Sequence, residues 1–228
     1  RDGVATAVRE LGSTPLIGFG GAPFTLAAYM VEGRPSRDHM AARALAASDP
    51  GAWDALMSWC ARVSADFITS QIEAGASAVQ LFDSWVGSLS PRTYRESVAP
   101  YSRMVARRIA GAVSPVTGER APLIHFGTGS APILADMAEV GANCVGVDWK
   151  TDLSWAIAQV SGKAVQGNLD PALLQAPWPV IEQAVRDILD AGCSAPGHVF
   201  NLGHGVPPTT DPDVLTRIVE LVHELGEA

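Results

Sequence analysis

One unit recurs along this chain: a short run that is apolar on both alternating faces, a turn rich in Gly, Pro or Ser, and a stretch with helical apolar spacing. The runs are Leu16-Ile17-Gly18-Phe19, Ala78-Val79-Gln80-Leu81-Phe82, Leu123-Ile124-His125-Phe126, Cys144-Val145-Gly146-Val147, Ala164-Val165-Gln166-Gly167 and His198-Val199-Phe200-Asn201-Leu202. Such runs read as parallel strands covered by helices, because a half-solvated antiparallel strand would alternate apolar with polar. Six consecutive βα units allow two architectures, a doubly wound sheet or a (β/α)₈ barrel. Residues Arg1 to Leu11 read as a helix feeding the first of these strands, which implies a strand before it. The expected fold is therefore a TIM-type (β/α)₈ barrel, here with about six βα units and the first two strands missing. No linker or low-complexity stretch divides residues 1–228, so they are expected to form a single, partial barrel domain. Its open edges predict pairing with a second copy as a homodimer.

The intervening helices are marked as clearly. From Gly51 to Ala74 the apolar residues Trp53, Leu56, Met57, Cys60, Val63, Phe67 and Ile72 recur at helical spacing, and Val214, Leu215, Ile218, Leu221, Val222 and Leu225 do so near the end. Ser90-Pro91, Asp170-Pro171 and Asp211-Pro212 each place an N-cap before a proline at the first helical position. Gly75, Gly141 and Gly192 are placed to close helices before the next strand.

Composition narrows the function. With 47% hydrophobic and 18% charged residues the chain can bury a sizeable core. A net charge of −8 with scattered Lys and Arg argues against nucleic acid as a partner. No apolar run reaches the roughly 18 residues of a membrane span, so no membrane partner is expected. Cys60, Cys144 and Cys193 form no C-x-x-C arrangement and no disulfide framework, which fits a cytoplasmic location.

In either parallel architecture the working groups sit where strands end. Gly18-x-Gly20 and Gly127-x-Gly129 invite a dinucleotide reading, and Asp148 lies where an acidic ribose ligand would belong. The third glycine is missing both times, so turn flexibility explains these glycines better. His39, His125, His198, His204 and His223 show no zinc-binding spacing, and no metal or organic cofactor is expected. His125 and His198 read as hydrogen-bonded core residues, His39 and His223 as solvated ones. His204 stands apart between Gly203 and Gly205 at a strand end, where flanking glycines let a large ligand approach, or where it caps the next helix. Asp83-Ser84 ends a strand with its two side chains pointing oppositely, so one faces the barrel mouth unless either serves as a helix cap. Tyr29, by spacing, is a packing aromatic with its hydroxyl at the surface.

Four strings carry a resemblance. They are Gly18-Phe19-Gly20-Gly21-Ala22-Pro23-Phe24-Thr25-Leu26 with Tyr29 and Glu32-Gly33; Gln80-Leu81-Phe82-Asp83-Ser84-Trp85; Gly146-Val147-Asp148-Trp149 followed by Gln166-Gly167-Asn168-Leu169-Asp170-Pro171; and Phe200-Asn201-Leu202-Gly203-His204-Gly205. In this order they resemble uroporphyrinogen decarboxylase. The resemblance implies a (β/α)₈ barrel that removes carbon dioxide, without a cofactor, from the four acetate arms of uroporphyrinogen III to give coproporphyrinogen III. It implies that Tyr29, Ser84 and His204 contact the tetrapyrrole. The family's Arg-Gln-Ala-Gly-Arg segment and the aspartate that holds the pyrrole N–H groups belong upstream of Arg1, so the chain resembles the C-terminal two thirds of such an enzyme and leaves the catalytic residue unassigned. Within it, His204, Tyr29, Ser84 and one of Arg34 or Arg37 are the groups able to meet carboxylates.

Two other functions fit the same barrel. A zinc-dependent corrinoid or thiol methyltransferase needs a His-x-Cys pair at a strand end, yet His125-Phe126-Gly127 has glycine there. A non-catalytic partial barrel would bind a tetrapyrrole without turning it over.

Overall fold

The computed structural model describes residues 1–34, 36–160 and 162–226. Helix α1 (Asp2–Leu11) leads into β1 (Ile17–Gly21), which is followed by α2 (Pro23–Glu32), α3 (Met40–Ser48) and α4 (Pro50–Glu73). Next come β2 (Ala78–Phe82), α5 (Pro91–Ser97), α6 (Ala99–Ile109), β3 (Leu123–Phe126) and α7 (Leu134–Ala138). The remainder is β4 (Cys144–Gly146), α8 (Leu153–Gln159), β5 (Ala164–Gln166), α9 (Trp178–Gly192), β6 (His198–Val199) and α10 (Pro212–Gly226). Asp49, Ser90 and Asp152 cap the helices that follow them, accepting from Ala52 N, Thr93 N and Trp155 N respectively. Asp170-Pro171 opens a short 3₁₀ turn rather than an α-helix.

The six strands form one sheet in the order β1-β2-β3-β4-β5-β6, and every neighbouring pair is parallel. A doubly wound sheet needs a point where strand order reverses. Here each strand lies beside its predecessor throughout, which excludes that alternative and matches the winding of a barrel wall. Among the described residues the one antiparallel contact, Val113 with Arg120, lies outside the sheet in the α6–β3 connection.

Register divides the side chains between two faces. Phe19 pairs with Gln80, Gln80 with Ile124, Phe82 with Phe126, and Gly146 with Gln166, which sets one row of residues on the concave face. Val79, Leu81, Leu123, Val145, Val147 and Val165 occupy the other face and are buried beneath the helices. There they meet Ile68 and Ile72 of α4, Val105 and Ile109 of α6, and Leu153 of α8. Each such aliphatic side chain contributes about 1.5–3 kcal/mol on burial. A further cluster of Leu174, Ile181, Val185, Ile218 and Leu221 joins α9 to α10.

Two expectations change. β6 covers only His198–Val199, beyond which pairing persists as a single Leu169–Leu202 bridge. Gly192 does not close its helix by turning left-handed: it is the last residue of α9, and its missing side chain leaves room for the His198 ring, which donates from Nε2 to the Gly167 carbonyl at 2.7 Å.

Candidate active site

The strand ends carry the site. A cavity of about 440 Å³ opens at the C-terminal ends of the strands, lined by Gln80, Phe82, Ser84, Phe126 and Gln166, and by Asn201, Leu202, His204, Gly205 and Val206. The structure thus brings Ser84 and His204 together, although 120 residues separate them in sequence. Strand alternation explains Ser84: Phe82 lies on the concave face, so Asp83 turns to the helices and Ser84 returns to the cavity.

Asp83 is accordingly fully buried on the far side, where its carboxylate accepts from Thr25 Oγ1 at 3.3 Å and stands 3.5 Å from His125 Nε2. Neither Asp83 nor Ser84 caps a helix through its side chain; the turn closes through the Val86 N–H donating to the Asp83 carbonyl. His125 is also fully buried on the helix side, with no hydrogen bond to either ring nitrogen among the described residues, where a hydrogen-bonded core histidine was expected.

His204 is exposed, edge-on to Trp149 with ring centroids 5.5 Å apart. It does not cap α10; Asp211 stands there instead and accepts from Asp213 N. Gly203 serves a different purpose from the one expected. A Cβ at that position would press into the Trp149 backbone, so the glycine lets two loops cross rather than a ligand approach. Around Gly205 the space is open.

The cavity has an aromatic wall and a polar floor. Phe82 packs edge-to-face against both Phe19 and Phe126. On the floor Gln166 Nε2 donates to Gln80 Oε1 at 3.1 Å, and Gln166 Oε1 has no further partner among the described residues. The sequence signal for this pair is a glutamine at the same place in two otherwise apolar strands.

Tyr29 lies apart from this cavity. Its ring leans on Trp85 at a 41° tilt with centroids 3.8 Å apart, and Trp85 stacks in turn on His39 at 4.5 Å. His39 is not solvated as expected. It is 3% exposed, with Nδ1 3.1 Å from Ser88 Oγ. His223 is exposed, as its helical position suggested.

Asp148 is a latch. Its fully buried carboxylate accepts from Gly129 N, Lys150 N and Thr151 Oγ1, tying the β3 loop to the β4 loop. Asn168 adds to the knot by donating to the Asp148 and Thr151 carbonyls. Fully buried and holding three hydrogen bonds within the protein, Asp148 is not arranged to hold a ribose. Among the described residues no group of three or more His, Cys, Asp or Glu side chains is placed to hold a metal ion. Burial pushes the Cys60 and Cys144 thiols up to about 11 and about 12, so neither is a ready thiolate.

Residues 1–225 match the family model described as uroporphyrinogen decarboxylase. The chain belongs to the uroporphyrinogen decarboxylase family. Similar curated proteins of that name include those of Arthrobacter sp. strain FB24, 55% identical over 99% of this chain and 64% of the relative, and Salinispora tropica, 57% identical over 98% and 59%. That of Streptomyces coelicolor is 56% identical over 94% of this chain and 59% of its own length. The chain thus spans about 60% of the length of the curated relatives it matches. A solved methyltransferase from Methanosarcina mazei superposes with a TM-score of 0.80 at 18% identity, over 97% of this chain and 62% of the other. At that identity the likeness shows a shared fold alone. No helix among the described residues is long and apolar enough to cross a membrane.

Proposed function

We propose that this family member acts on uroporphyrinogen, removing carbon dioxide from its acetate arms to give coproporphyrinogen, and that its fold belongs to a closed (β/α)₈ barrel. The observation that carries the reading is the convergence of Ser84 and His204 on one cavity beside an aromatic wall, in a chain that belongs to this family.

A pyrrole acetate releases carbon dioxide only when the electrons of the breaking C–C bond can flow into the ring. An acid must therefore protonate a ring carbon, and the cationic ring that results needs an anion or hydrogen-bond acceptors nearby. After carbon dioxide leaves, a second proton converts the exocyclic carbon to a methyl group, and loss of the ring proton restores the pyrrole. In this reading Phe82 and Phe126 receive a ring face, while Ser84 and His204 hold acid arms through charge-assisted hydrogen bonds. Tyr29, packed against Trp85, meets an arm at the rim. The same reading makes the protein a cytoplasmic homodimer that needs no cofactor.

The test is calorimetric titration with uroporphyrinogen under anaerobic conditions, followed by a search for coproporphyrinogen. His204→Asn should weaken binding by about 10- to 150-fold, the range of a charge-assisted hydrogen bond, and leave the melting temperature in place because His204 is exposed. Unchanged binding with a lowered melting temperature removes His204 from the site. Tight binding with no product under any condition favours the non-catalytic, tetrapyrrole-binding alternative.

A further inference from the structure

Ser84 belongs to two cavities. On the other side of its turn lies a second one of about 310 Å³, lined by Arg37, Asp38, His39, Trp85 and Lys150 among others. The contrast with the first is chemical: apart from His204 the first cavity is lined by no basic side chain, whereas the second draws a guanidinium from the segment after α2 and an ammonium from the β4 loop. Neither cation enters an ion pair among the described residues. His39, 97% withdrawn from solvent, also lines it, and its Nε2 has no hydrogen-bond partner among the described residues. A buried polar atom without a partner is costly unless a ligand completes it.

We infer that this second cavity is a carboxylate subsite, in which Arg37 and Lys150 take one acid arm of a ligand whose body occupies the first cavity. Lys150 is also one of two lysines in the chain, so its place here is not drawn from a general scatter of ammonium groups. It lies 4.9 Å over the Trp149 ring, which packs T-shaped with His204, so one indole links a residue of each cavity. Arg37 offers a planar fork suited to a carboxylate, and Lys150 a compact charge. Asp38 opposes them, which leaves an excess of one positive charge and predicts its own sign of effect. For the identity of the ligand the inference rests on the decarboxylase reading; for its carboxylate chemistry it rests on the cavity alone.

Malonate serves as the small probe and uroporphyrinogen as the large one, each titrated into the 228-residue protein. By amide resonances, malonate should shift Gly87 and Gly129, which line the cavity. Arg37→Gln combined with Lys150→Gln should raise its dissociation constant at least tenfold, and Asp38→Asn should lower it. Uroporphyrinogen affinity should fall by a similar factor in the double variant. Absence of the malonate shifts, or shifts that survive the double substitution, overturns the subsite. So does uroporphyrinogen binding that is indifferent to it, a result that leaves the decarboxylase reading standing. Malonate binding with the expected sensitivity, in a protein that does not bind uroporphyrinogen, supports the subsite and removes that reading instead.

Discussion

Burial pushes the His39 imidazole below its ordinary range, with Glu32 and Asp38 pulling it up and Arg43 adding to the fall. The unfolded chain, titrating near the usual value of about 6.5, therefore takes up a proton before the folded one does as pH drops. The stability His39 contributes is complete above about 6.5 and is lost as pH falls from there toward the lower folded value. Melting temperatures measured from neutral to mildly acidic pH should decline more steeply for the wild type than for His39→Phe, which keeps the stack on Trp85 but cannot titrate. Equal slopes would contradict this. The Asp83 and His125 pair makes a separate demand. Each is wholly buried and they stand 3.5 Å apart, so the costs of Asp83→Asn and His125→Leu should not add. Urea unfolding of the two single variants and the double should give a coupling of about 0.5–3 kcal/mol, the double costing less than the sum. Sequence alone could place Ser84 and His204, because strand ends in parallel folds are a short list of positions. It could not place His39, because a polar stretch of sequence says nothing about the Trp85 ring that a loop folds over it.

At the scale of elements, crossing loops set the site more tightly than the strands do. Gly203 abuts the Trp149 backbone, and His204 follows directly, so any side chain at 203 moves the histidine as well as the loop. Gly203→Ala should cost about 1–3 kcal/mol of stability, as overpacking does, and should weaken uroporphyrinogen binding alongside. A variant as stable as the wild type would show that the two loops slide apart freely. Strands and caps were legible for plain reasons. Parallel strands must be apolar on both faces, and Ser90 and Asp211, each before a proline, sit where helix N–H groups need acceptors, whereas the caps at Asp49 and Asp152 show only in the structure. The length of β6 was not legible, since Val199 to Leu202 keeps strand composition while its ladder narrows to one bridge with Leu169. Nor was the use of Asp148, because spacing from a glycine turn cannot tell a ribose ligand from a latch between neighbouring loops.

For the whole molecule, parallel pairing is legible in the sequence, while strand order and closure are not. Six βα units suit a doubly wound sheet as well as a barrel wall, and the structure shows each strand beside the last. Whether such a wall meets itself depends on what pairs with its two margins. Among the described residues β1 and β6 each have a strand on one side only, and their concave-face residues Ile17, Phe19 and Val199 are 42%, 58% and 43% exposed. Backbone N–H and C=O groups beside exposed apolar side chains form a template for another chain. The 228-residue protein should therefore self-associate, its sedimentation coefficient rising with concentration. Phe19→Lys places a charge on the β1 margin, where pairing would have to desolvate it, and should shift the population toward monomer. Phe19 also packs against Phe82 of the cavity wall, so the same variant should lose some uroporphyrinogen affinity, whereas a lysine on the outer surface of α9 should change neither. A wild-type protein that sediments as a monomer at every concentration, or a Phe19→Lys variant that associates as readily as the wild type, would show that the β1 margin is not where copies meet.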